Sequence, residues 1–208
     1  MIERALARLA RIIAGASVRW TVPPGPPEVQ RVYFGNHTSH LDFILIWSAL
    51  PEAVRLRTRP IAGADYWGRG RARRYLATRV FHAVLIERGA LASHGRENRG
   101  ALQTIDVIAE AMGEDTSIIV FPEGTRSADG ALLPFRSGLY HLCQRKPEVE
   151  LVPVYLDNLT RILPKGEVLP VPLLSRVTFG AAMRLEPGEE KRAFNDRMRE
   201  ALIALRDA

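Results

Sequence analysis

Short apolar runs without the in–out alternation of a half-exposed strand recur between helical stretches, and this alternation constrains the fold more than any other feature. RVYFG at 31–35, TSIIVF at 116–121 and VELVPVYL at 149–156 are the clearest of them. A strand with so little polar interruption is one buried on both faces, as in a parallel sheet covered by helices. Further strands are expected around 59–63, within FHAVLIER at 81–88 and in RVTFG at 176–180. Helical spacing covers 39–50, 93–112, 137–145 and 189–207. The pattern predicts an α/β single domain with a mostly parallel or mixed sheet flanked by helices. Ligand sites in such folds sit where strands run into helices. A chain of 208 residues is the size of one domain.

Ahead of this alternation, MIERALARLARIIAGASVRW places Ile2, Leu6, Leu9, Ile12, Ile13 and Ala16 at helical spacing beside a stripe of Arg4, Arg8 and Arg11. Residues 1–22 are therefore expected to form an N-terminal amphipathic helix, which either packs on the core or lies on an anionic membrane surface. Arginines interrupt the apolar segment, which argues against a secretory signal, and no run reaches the ~18 apolar residues of a membrane span. PPGPP at 23–27 reads as a stiff spacer, with the main domain expected over 29–208.

The step from VYFG into the next apolar stretch is GNHTSHLDF, residues 35–43. Ser39 followed by Asp42 fits an S-x-x-D helix start, in which side chains satisfy free backbone donors. Capping gives no reason for Asn36, His37 or His40. A catalytic reading pairs His37 with Asp42: the carboxylate fixes the imidazole tautomer and leaves the other ring nitrogen free as a base. His40 is the poorer partner, because positions i and i+2 of a helix do not face each other. A metal site built on the two histidines and the aspartate is weaker, since His82, His94 and His141 form no clustered set in the sequence. There is no G-x-S-x-G elbow for a serine nucleophile. The single cysteine, Cys143, lies in the apolar run LYHLC and is expected as a buried thiol in a cytosolic or cytosol-facing protein.

A second polar loop, SIIVFPEGTRSADG, follows a buried strand. Glu123, Gly124, Thr125 and Arg126 either form an anion-holding loop, with guanidinium, hydroxyl and backbone donors, or an ordinary solvated turn. Arg88 in VLIERG and Arg136 in PFRSG also follow strand-like segments. The formal charge is +6, and only Lys146, Lys165 and Lys191 of the 29 basic residues are lysine. Between Arg55 and Arg79 the arginines are interleaved with Tyr66, Trp67 and Tyr75 against one acid, Asp65. Such a stretch suits anionic lipid heads, or a nucleic acid, or is simply a solvated basic helix.

NHTSHLD and FPEGTRS, about eighty residues apart, closely resemble the two signature blocks of the glycerolipid acyltransferase superfamily, which includes lysophosphatidate (1-acylglycerol-3-phosphate) acyltransferases. The resemblance extends through VLIER, FRSG and LVPV. It implies His37 as general base and Asp42 as its orienter. Arg88, Glu123, Gly124, Thr125 and Arg126 would bind the phosphate-bearing acceptor or organise its loop, supported by Asn36, Ser39 and Arg136, with Pro153 shaping the wall near the acyl chain. The implied reaction moves a fatty acyl group from acyl-CoA or an acyl carrier protein thioester onto the free hydroxyl of 1-acylglycerol-3-phosphate, giving phosphatidate. Another lysophospholipid or a lyso-aminolipid is the alternative acceptor. No metal or other cofactor is implied; the expected partner is a membrane lipid surface at its cytoplasmic face, and nucleic acid is not expected. One departure is His82, where the family usually has a glycine near the start of the VLIER block.

Overall fold

The computed structural model of the chain describes residues 7–10, 15–39, 41–87, 97–127, 129–157 and 175–206. Its described strands are β1 (Ala16–Trp20), β2 (Arg31–Gly35), β3 (Thr58–Gly63), β4 (Val84–Ile86), β5 (Ser117–Val120), β6 (Glu150–Asp157) and β7 (Ser175–Phe179). They form one seven-stranded sheet in the order β1-β7-β6-β2-β5-β3-β4. Every pairing is parallel except β6 with β7. This is the α/β architecture read from the sequence.

The helices are α1 (Asp42–Ala49), α2 (Glu52–Arg55), α3 (Ala64–Trp67), α4 (Arg71–Tyr75), α5 (Glu97–Met112), α6 (Gly138–Arg145) and α7 (Lys191–Ala204), with one π-helical turn at Leu76–Val80. They cover both faces of the sheet, which is why β2 is buried along its whole length. Tyr33 turns to one face, with Phe43, Ile46 and Trp47 of α1. Val32 and Phe34 turn to the other, with Ile105 and Ile108 of α5, Leu142 of α6 and Phe194 of α7. Each fully buried side chain of this size contributes ~2 kcal/mol of transfer free energy.

The N-terminal expectation needs correcting. Residues 7–10 are helical, but the helix does not run to residue 22: Gly15 takes φ 54°, and Ala16–Trp20 become β1. Ala16, Val18 and Trp20 alternate with exposed Ser17 and Arg19, and Trp20 stacks on Phe179 at 3.9 Å between ring centroids. The sheet therefore begins before the proline spacer, not at residue 29. The spacer itself is tied down, because Arg31 donates to the Pro26 carbonyl at 2.8 Å while pairing with Glu150 at 3.0 Å. His82 has φ 49°, a left-handed conformation that costs a residue with a Cβ ~1–2 kcal/mol. The glycine that the resemblance leads one to expect near this position would occupy such a backbone conformation without strain.

Candidate active site

Two strand-to-helix loops meet because β2 and β5 are direct neighbours. Tyr33 pairs with Ile119 and Phe34 with Val120, so the chain leaving Gly35 and the chain leaving Val120 emerge side by side at the carboxyl edge. Gly35 has no room for a side chain: a Cβ there would lie 2.9 Å from the Val154 carbonyl oxygen. Just beyond it, the Asn36 amide donates to the Leu156 carbonyl at 2.9 Å and accepts from the Leu156 N–H at 2.8 Å. This side chain continues the β2–β6 ladder as a backbone would, and Asn36 is structural in its contacts.

His37 Nδ1 lies 2.7 Å from Asp42 Oδ2. The same oxygen accepts from the Thr38 and Ser39 backbone N–H groups at 2.7 and 2.9 Å. Asp42 is fully buried and His37 is 8 % exposed. One face of the imidazole is covered by Phe121, whose ring stacks on it at 4.2 Å with an 11° tilt. The helix start differs in part from the capping box expected. Asp42 does reach back to the Ser39 N–H, but the Ser39 hydroxyl accepts from Leu41 N–H at 3.2 Å, and no side chain caps α1 at the Leu41 position. Asp42 therefore both orders the turn and holds the imidazole. His40 lies outside the described residues.

The second loop is locked to the first. Glu123 is 3 % exposed; its carboxylate accepts from the His37 N–H at 2.7 Å and from the Leu133 N–H at 2.9 Å. Burial raises its pKa, a rise opposed by those two backbone donors. In return, the Ser127 N–H donates to the His37 carbonyl at 2.8 Å. Glu123 thus organises the loop instead of facing a ligand. Gly124 has φ 69°, and a Cβ there would come within 2.8 Å of Cδ and Nε of Arg136; the glycine lets the arginine lie across the loop.

A cavity of about 360 Å³ opens beside these loops. His37, Arg126 and Arg136 line it together with Gly124 and Phe121, while Ile61, Ile86, Ile105, Ile108, Leu139 and Leu142 provide much of its apolar surface. The arrangement offers an imidazole held by a carboxylate, two guanidinium groups and an apolar chamber in one place. Of the other residues expected here, Thr125 is exposed and does not line the cavity, and Pro153 is buried within β6, paired with Phe34, also off the lining. Arg88 lies outside the described residues. Among the described residues, no three His, Cys, Asp or Glu side chains gather as metal ligands. Cys143 is buried on α6, and burial pushes its thiol up to about 12, far from the thiolate range of a nucleophile.

Sequence reasoning overlooked the apolar walls from α5 and α6, and the role of Phe121. The helical spacing of Ile105, Ile108, Leu139 and Leu142 was visible, but that spacing looks the same whether a side chain faces a sheet or a chamber.

A family model described as "Acyltransferase" matches residues 22–157. The chain is 32% identical over 150 residues to 1-acyl-sn-glycerol-3-phosphate acyltransferase of Limnanthes alba, covering 68% of this chain and 47% of the plant protein. It is 29% identical over 143 residues to the mouse 1-acyl-sn-glycerol-3-phosphate acyltransferase alpha, covering 68% and 45%. With the Haemophilus influenzae 1-acyl-sn-glycerol-3-phosphate acyltransferase the identity is 29% over 136 residues, covering 61% and 48%. The chain spans about half the length of these curated relatives. The crystal structure of the 1-acyl-sn-glycerophosphate (LPA) acyltransferase, PlsC, from Thermotoga maritima has the same fold, with a TM-score of 0.72 and 18% identity over 99% of this chain and 78% of that one.

Proposed function

This chain belongs to the acyltransferase family, and from that premise we propose that it transfers a fatty acyl group from an acyl thioester to the free hydroxyl of 1-acylglycerol-3-phosphate, forming phosphatidate. The observation that carries the proposal is the 2.7 Å contact between His37 Nδ1 and Asp42 Oδ2 in the wall of a chamber also lined by Arg126 and Arg136.

An ionised carboxylate can only accept hydrogen bonds, so the hydrogen of neutral His37 resides on Nδ1 and Nε2 carries the lone pair. Nε2 takes the acceptor hydroxyl proton as that oxygen bonds to the thioester carbonyl carbon, and the Asp42 charge stabilises the imidazolium that forms. The tetrahedral intermediate collapses with cleavage of the carbon–sulfur bond. The thiolate leaves and receives the proton from Nε2, so His37 ends as it began. Transfer is direct, with no acyl-enzyme.

Arg126 and Arg136 bind the acceptor phosphate; their fixed charges and forked donors suit its oxygens. The Ile and Leu walls hold an acyl chain. Glu123 and Gly124 act on the acceptor through the loop they shape, and Arg88 remains in our assignment as a further phosphate contact. The donor is acyl-CoA or an acyl carrier protein. The reaction takes place at a membrane surface, since acceptor and product are lipids; no described helix is long and apolar enough to cross one. The segment ahead of β1 is a candidate lipid contact.

An acceptor panel tests this reading. Purified protein is given labelled acyl-CoA or acyl carrier protein with lysophosphatidate, lysophospholipids of larger head group, or a lyso-aminolipid, and the lipid product is identified. Labelled phosphatidate as the main product is expected. Preferential acylation of a lysophospholipid lacking a phosphate monoester would overturn the acceptor assignment, and absence of transfer to every acceptor would overturn the activity.

A further inference from the structure

The basic stretch noted in the sequence does not form one uniform surface. Arg55 leaves it: 7 % exposed, it donates to the Leu50 carbonyl at 3.1 Å and lies over the Trp47 ring. Arg57 pairs with Asp115. What remains is concentrated on the α4 segment, where Arg69, Arg71, Arg73, Arg74, Tyr75 and Arg79 are all exposed and Tyr75 is 58 % exposed. No residue of α4 is buried, so core packing gives no reason for its composition.

Some arginines elsewhere, Arg31, Arg145 and Arg197 among them, are held by carboxylates. None of the α4 arginines has such a partner among the described residues, and from Tyr66 to Ile86 the chain contains no acid. The nearest one in sequence, Asp65, lines the cavity. Unneutralised guanidinium groups grouped this closely repel one another, and a multivalent anionic surface relieves that repulsion.

The patch adjoins the chamber. The Arg73 guanidinium lies 4.6 Å from the centroid of the Tyr66 ring, and Tyr66 lines the cavity, as do Arg126 and Arg136. Through Tyr66 the exposed helix thus reaches the chamber that also holds Asp65, Arg126 and Arg136. A tyrosine standing exposed among arginines matches the boundary between phosphate heads and hydrocarbon, where its ring and hydroxyl are both accommodated. An acidic protein would satisfy the charge and also bury Tyr75; the bilayer is favoured because the patch adjoins a chamber whose proposed substrates are lipids.

We propose that the exposed face of α4, with Arg69, Arg71, Arg74 and Tyr75, docks on an anionic lipid bilayer and turns the Tyr66 rim of the chamber toward it. The role assigned to the rim rests on the proposed acyltransferase function; lipid docking itself does not require turnover. Lipids would then pass between bilayer and chamber along a path lined by aromatic and guanidinium groups.

The test is co-sedimentation of the full chain, without substrate, with phosphatidylcholine vesicles with or without phosphatidylglycerol. Wild-type protein is expected to bind the anionic vesicles and to release as salt rises. Each arginine near an anionic surface is worth ~5-fold in partitioning, so the variant Arg69→Gln, Arg71→Gln, Arg74→Gln should bind about 100-fold more weakly. Circular dichroism checks its fold; should it melt early, Arg71→Gln alone, expected to lose ~5-fold, replaces it. Undiminished vesicle binding by the variants, or equal wild-type binding to neutral vesicles, overturns the proposal. So does a variant that keeps its vesicle binding but loses affinity for an acidic acyl carrier protein, which would identify the patch as a protein-docking surface. Because no substrate is present, failure here is distinct from failure in the acceptor panel.

Discussion

Replacing Asp42 by Asn separates the charge of this side chain from its shape. Oδ2 receives the His37 ring and two backbone N–H groups at 2.7, 2.7 and 2.9 Å, whereas Oδ1 is buried without a hydrogen bond. An asparagine therefore has one acceptable orientation. Its carbonyl takes the Oδ2 position and keeps all three donors, and its amide NH2 takes the Oδ1 position, where two N–H groups are left buried and unpaired. That costs about 1–3 kcal/mol of stability. The loop stays folded, but the imidazolium formed during transfer loses its counter-charge. At a charge separation of ~4 Å and an effective dielectric of ~20, the lost interaction is ~4 kcal/mol, or about three decades in rate. The assay is thiol release from an acyl thioester in the presence of acceptor, with thermal melting in parallel. A kcat within tenfold of wild type would refute the dyad. The His37→Ala control sharpens the result, because Asp42 acts through His37: once the imidazole is gone, adding Asp42→Asn should slow turnover little further. A second thousandfold loss in that background would assign Asp42 another role.

The remaining predictions concern the neighbouring loop and a distant ion pair. Arg126→Ala should raise the acceptor KM at least tenfold with a smaller change in kcat, read from initial rates at saturating donor; unchanged kinetics would remove Arg126 from the phosphate site. Gly124→Ala forces a Cβ onto a backbone at φ 69° and into Arg136, so it should cost ~1–2 kcal/mol in denaturant unfolding and also raise the acceptor KM. Glu189 is held in a fork by Arg197 Nε and Nη2 at 2.7 and 2.6 Å, a contact that lowers its pKa below the usual 4.5. A lowered folded-state pKa contributes stability above the unfolded-state value and loses it as pH falls through the folded value. Glu189→Gln should therefore cost ~0.5–1 kcal/mol at pH 7, with the gap from wild type closing below pH 4.5 in melts across that range.

The parts of the molecule legible in the sequence are those set by local pattern. The runs that became β2, β5 and β6 are apolar because helices cover both faces. His37 and Asp42 could be paired because five positions of turn and helix start bring them together. β1 was misread because Ile12, Ile13 and Ala16 extend a helical spacing into ASVRW, while the partner that makes it a strand is β7, far along the chain. The alternation of Ala16, Val18 and Trp20 was the available signal, and it spans only five residues. For Glu123 the sequence left both binding the acceptor and organising the loop open, because a carboxylate in a polar loop gives no indication of direction. What turns it inward is the returning chain at Leu133. Arg55 likewise counted toward a basic surface until its stacking on Trp47 showed that it belongs to the interior.

The separation between the two motifs also explains why so expensive a group as a buried glutamate is retained. His37 sits in a loop with no ladder of its own, yet the general base proposed here must be placed to a fraction of an ångström. The second loop fixes its main chain on both sides, through Glu123 on the N–H and Ser127 on the carbonyl. Asp42 and Phe121 then fix the ring. Water or a neutral side chain would satisfy the same N–H, but not with the strength of a charge-assisted bond in a site of low dielectric. Burial raises the pKa of Glu123, and the two backbone donors oppose that rise only in part. The carboxylate joins His37 to Leu133, and hence to the chain leading to Arg136, so the placement of the proposed base and of the arginine proposed to bind phosphate follows from one polar junction.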